Sequence, residues 1–152
     1  MGLDMYLSRR LKGNTAREVM YWRKANAIHK WFVDKVQGGE DDCKEYRVSS
    51  AQLIELRDTC KRVLDGSKLV PGQVVSSWTY RGGQKITNLE DGQVVEDAGV
   101  AKELLPTQDG FFFGCTDYNE WYLEDVKKTY DGLAALNLEE PYEGEYTYQS
   151  SW

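Results

Sequence analysis

The sequence predicts an α+β fold, a single domain in which about three helices pack on a mainly antiparallel sheet. Three observations predict it. Runs of strand-like alternation come in hairpin pairs separated by glycine or asparagine turns. Longer runs carry apolar residues at spacings of three and four. The two kinds of run are interspersed in the order β-β-α-β-α-(β-β)-α-β-α-β, which suits helices laid on an antiparallel sheet. At 152 residues the chain is one domain's worth of sequence and long enough for one adequate core.

The elements follow in order. Leu3, Met5 and Leu7 alternate with Asp4, Tyr6 and Ser8, and Val19 to Trp22 is a second β-prone run. The turn Lys12-Gly13-Asn14-Thr15 between them makes residues 3–22 a hairpin. A helix begins near Arg23, buries Ala25, Ile28, Phe32 and Val36, and ends at Gln37-Gly38-Gly39. Glu45 to Val48 is a short strand. Ser49 with Gln52 forms a capping box for a helix that buries Leu53, Leu56, Cys60 and Val63 and stops at Gly66.

Residues 70–98 read as a hairpin excursion turning at Arg81-Gly82-Gly83-Gln84, with a further turn at Glu90-Asp91-Gly92. A short helix through Val100 to Leu105 stops at Pro106. Phe111 to Cys115 is an apolar run of strand length. Asp117 with Glu120, or Thr116 as the cap, opens a helix to about Leu136 that buries Tyr122, Val126, Leu133 and Leu136. On it Glu120, Glu124 and Asp125 read as solvent-facing carboxylates, with Glu124 and Lys128 as an i,i+4 pair. Tyr142, Tyr146 and Tyr148 mark a closing strand.

Charge is unevenly spread. Residues 1–35 carry eight basic and three acidic side chains, whereas residues 103–152 carry two and eleven. That acidic block repels a nucleic-acid backbone and attracts basic surfaces, so direct nucleic-acid binding is not expected. The N-terminus does not read as a signal peptide, and no apolar run approaches a membrane span. Three widely spaced cysteines, at 43, 60 and 115, form no disulfide framework, which points to a reducing cytoplasm.

Candidate chemistry is sparse. No close ligand pair marks a zinc site, and no phosphate loop or serine-nucleophile motif occurs, so no cofactor, metal or catalytic residue is assigned. His29 is the lone histidine, and a hydrolytic mechanism would have to use it with Asp41 or Asp42. Arg23, Asn26 and His29 share the start of a helix beside Trp22, a combination that suits an anionic ligand with a flat ring, such as a nucleotide. Thr107, Gln108 and Thr116 would be its polar partners. In the acidic last third, Tyr118, Glu120, Trp121 and Trp152 belong to an aromatic, acid-rich surface suited to a protein partner with a basic face.

Several strings carry a resemblance: Met1 to Leu7, Tyr21 to Phe32, Glu103 to Gly114, Asp117-Tyr118, Glu120 and Tyr148 to Trp152. Together they resemble a family of small accessory proteins encoded by bacteriophages and prophages, over nearly the whole chain. Asp109 and Cys115 stand where that resemblance leads one to expect small hydroxyl residues. It implies a non-structural protein acting inside the bacterial cell. The expected role is a non-enzymatic binder that blocks a host defence factor. The alternatives are sequestration of a nucleotide-like signal, or a small hydrolase built on His29. Nothing in the sequence sets the oligomeric state.

Overall fold

A computed structural model describes residues 2–11, 13–110, 113–140 and 144–152. Four helices and six strands are described, and the strands form two antiparallel sheets. The main sheet holds β1 (Asp4–Leu11), β2 (Arg17–Arg23), β3 (Tyr46–Val48) and β6 (Gly144–Ser151), in the order β2-β1-β6-β3. The second is a two-stranded ribbon of β4 (Leu69–Arg81) and β5 (Gln84–Val95). The chain is thus α+β, as the alternation and the helical stripes predict.

The main sheet has one apolar face. Leu3, Met5, Leu7, Trp22 and Tyr148 are buried, whereas Asp4, Tyr6 and Ser8 on the alternate positions are partly open. Helices α1 (Asn26–Lys35), α2 (Ser50–Asp65) and α4 (Glu120–Ala134) supply the other half of the core. Phe32 of α1 stacks on Tyr148 at 3.8 Å with the rings almost parallel. Trp22 of β2 donates its indole N–H to Thr129 of α4 at 2.8 Å, and Thr129 donates to the Asp125 carbonyl. Gly132 brings α4 close to β2, for a Cβ there would lie 2.4 Å from the Met20 methyl. Helix α3 (Gly99–Leu104) is a single short segment ending before Pro106.

Some local expectations are corrected. The Ser49–Gln52 capping box forms, but α4 is capped by Asn119, whose side chain accepts from the Tyr122 N–H, and not by Asp117 or Thr116. Helix α4 stops at Ala134, short of Leu136. Glu90-Asp91-Gly92 is no turn, because cross-strand pairing runs through it with Gly72 opposite Gly92. Residues 113–116 are loop, not strand, whereas Lys12, Phe111, Phe112 and Tyr142 lie outside the described residues. Glu124 has no ion pair with Lys128, which instead donates to the Tyr21 carbonyl at 2.7 Å. Some aromatics of the acidic last third are core: Phe113, Tyr122, Tyr146 and Tyr148 are buried, whereas Trp121 and Trp152 are exposed. Among the described residues no helix is long and apolar enough to cross a membrane.

Candidate functional site

A cavity of about 280 Å³ opens where the first turn of α1, the loop residues 107–110 and 113–117, and the first half of α4 meet. The local sequence makes that opening. Lys24 takes a left-handed backbone, φ 55°, and its N–H donates to the Leu3 carbonyl at 2.7 Å, so the chain turns sharply from β2 into α1. Ala25 then sits at the N-cap position with no side chain to receive the first-turn amides. Ala27 and Ile28 line the cavity, which puts the positive end of the α1 dipole at its wall.

Asn26 holds the loop against this helix end. Its amide nitrogen donates to the carbonyls of Phe113 at 3.1 Å and Cys115 at 2.9 Å, and its oxygen accepts from the Gln108 N–H at 3.0 Å. Gly114, at φ 92°, closes on Lys24, where a Cβ would come within 3.1 Å of the lysine Cβ. Thr107 completes the loop by donating to the Thr116 carbonyl at 2.9 Å, while its own N–H donates to the Tyr118 hydroxyl at 3.1 Å.

The α4 wall carries Asn119, Trp121, Tyr122, Asp125 and Val126. Asn119 is 2% exposed and uses its oxygen as the helix cap, while its amide nitrogen has no oxygen or nitrogen acceptor among the described residues and interacts only with the Cys115 sulfur, whose pKa it lowers. A buried amide donor left in that state costs free energy on the order of 1–3 kcal/mol. Asp125, expected on the solvent side, instead faces the cavity, and burial pushes its carboxyl up to about 6, against the pull of Lys128. Arg23, expected at the start of the helix, is instead the last residue of β2, since α1 begins at Asn26; it lines the cavity with Lys24 and lies 3.3 Å from Asp4. Cys115 lines the same space, its thiol pushed up by burial.

Of the residues nominated from sequence, Arg23, Asn26, Thr107 and Trp121 converge on this cavity. The others do not line it. Gln108 contributes its backbone N–H to Asn26, and Thr116 its carbonyl to Thr107. The Tyr118 ring lies on Tyr122 at 4.9 Å and under the Lys102 ammonium at 5.7 Å. Glu120 lies in the first turn of α4 beside Gly92. Lys24, Asn119 and Asp125 are the additions that sequence reasoning missed. Asp125 could have been suspected: it lies three residues after Tyr122 and four before Thr129, on the buried stripe of α4.

His29 belongs to a second, buried cluster. Its Nε2 meets Asp41 at 2.9 Å and its Nδ1 meets the Tyr148 hydroxyl at 2.6 Å. The carboxylate can only accept, so Nε2 carries the proton and Tyr148 donates to Nδ1. Burial holds the imidazole below its ordinary range, opposed by the Asp41 charge. Trp152 donates its indole N–H to the same Asp41 oxygen at 2.9 Å and packs edge-on to Phe113. Both ring nitrogens are thus occupied and the residue is 0% exposed, so a substrate has no access to this imidazole. Among the described residues no cluster of three or more metal-ligating side chains occurs.

In comparisons with protein-family models, with curated proteins and with solved structures, nothing matches the chain.

Proposed function

We propose that this chain is a binding protein that holds a small, nucleotide-like ligand in the α1–α4 cavity. One observation carries the reading: the cavity that receives the uncapped end of α1 is also lined by Asn119, whose buried amide nitrogen has no oxygen or nitrogen acceptor among the described residues and only the Cys115 sulfur beside it. The chemistry is that of an anionic, partly planar molecule. The α1 amides, Arg23 and Lys24 attract negative charge. The exposed Trp121 indole offers a stacking surface at the rim. Asn119 donates to a carbonyl or ring nitrogen, and Asp125 accepts from an N–H group. About 280 Å³ lies just below the range of about 300 to 1,000 Å³ for ligand pockets, so the cavity suits a small ligand. The resemblance to phage accessory proteins supports a setting in the bacterial cytoplasm, where such a protein would sequester a host signal.

A thermal-shift and calorimetric series with nucleotides tests this. Ligand at about 100 times its Kd adds roughly 2.7 kcal/mol, several degrees in Tm for a domain of this size. Asn119→Asp keeps the oxygen that caps α4 and removes the donor, so it should weaken binding at least tenfold in a protein that still folds. A panel without any Tm response would sink the proposal.

The broader expectation, docking on a basic host protein, keeps one support. Trp121 and Trp152 remain 42% and 47% exposed within the acidic last third. Capture of a host partner at low salt that is lost at high salt tests it.

A further inference from the structure

Beyond its root the β4–β5 ribbon stands clear of the body. Val74 and Val95 are buried, and Val94 bridges to Asn119, but from Ser76 to Leu89 only Asn88 is even partly shielded. At about 3.3 Å per residue, the seven residues from Val75 to Arg81 carry the tip about 23 Å from that root. A two-stranded ribbon is marginal in water by itself.

The register sorts its side chains. Trp78 faces Thr87, and Tyr80 faces Lys85, so these four and Leu89 share one face. Lys85 lies over the Trp78 ring at 4.5 Å. Ser77 and Thr79 lie on the other face, where both accept from the Asn88 amide. Trp78, Tyr80 and Leu89 are 43%, 72% and 58% exposed, a contiguous apolar surface of the kind that marks an interface.

Its charge selects the partner. From Gln73 to Leu89 the charged residues are Arg81 and Lys85, with no acid. Residues 103–152 of the same chain are net −9, and on α4 the exposed Trp121 lies three residues before the exposed Glu124, whereas Asp131 is already paired with Lys127 at 2.7 Å. One chain therefore carries a basic aromatic arm and an acidic surface with an exposed indole. We propose that the arm docks on a second copy of this chain, with its Trp78–Tyr80–Leu89 face on the partner's α4 and Lys85, the cation on that face, against the carboxylate of Glu124. Two-fold symmetry uses the contact twice.

Sedimentation equilibrium of the whole chain across the micromolar range tests this, and a dimer is expected. Lys85→Glu should weaken association at least tenfold, and so should Glu124→Lys. Mixing the two variants should restore a one-to-one heterodimer, which a merely misfolded variant would not do. Both side chains are exposed, so melting curves near the unmodified protein's are expected as the folding control. A wild-type chain that stays monomeric, or a dimer that survives both charge reversals, would overturn the proposal. So would an arm that engages only some other molecule.

Discussion

Asp125 shows how one residue can work against stability in favour of a site. Its carboxyl, raised to about 6 by burial, is charged in both folded and unfolded chains above that pH, and folding then carries the cost of burying the charge. Between about 6 and its unfolded value near 3.9 the folded state binds the extra proton, so this group adds stability as pH falls through that window. Asp125→Asn should therefore stabilise the protein at pH 7.5 by about 1–2 kcal/mol, a figure already discounted for partial solvent access. The gain should vanish near pH 4, where wild type is neutral as well. Urea denaturation at the two pH values measures it, and an equal gain at both would refute the assignment. The same change should weaken nucleotide binding, the usual exchange of stability against function.

At the scale of elements, α4 sets the geometry of both core and cavity, and Gly132 sets its height above the sheet. Gly132→Leu would push aside the flexible end of the Met20 side chain and should cost about 1–3 kcal/mol, read as a lowered urea midpoint. An unchanged midpoint would show that α4 has room to move. The elements themselves were largely legible, because alternation at Leu3, Met5 and Leu7 and the Ser49–Gln52 box are local signals. The failures are tertiary. Glu90-Asp91-Gly92 has turn composition, yet the register with β4 pulls it into strand. Asn119 outcompetes Asp117 as the cap because its backbone is already pinned by the bridge to Val94. At the site, Arg23, Asn26, Thr107 and Trp121 were readable as residue types near a helix start or in the acidic third. Asn119 and Asp125 gain their meaning only from burial, which arises when α4 closes against α1 and the loop residues 107–110 and 113–117.

On the scale of the molecule, the arm and the body are separable in energetic terms. Joining Val75 to Leu89 by an Asn-Gly turn removes side chains that bury little surface, and the pair already faces each other in the ribbon. Tm measured at a dilution where the chain is monomeric should stay within about 3 °C of the parent, and the cavity should keep its ligand response. A much larger fall would show that the outer ribbon belongs to the core.

The placement of β6 has its own consequence for how the protein comes into being. This strand lies between β1 and β3, and Asp4 pairs with Ser151. The inner edge of β1 is thus made early in translation and waits, unsatisfied, until residue 151 has cleared the ribosome. Between the synthesis of β1 and that of β6, nascent chains carry an open sheet edge, a state that invites chaperone engagement and makes premature termination before β6 ruinous.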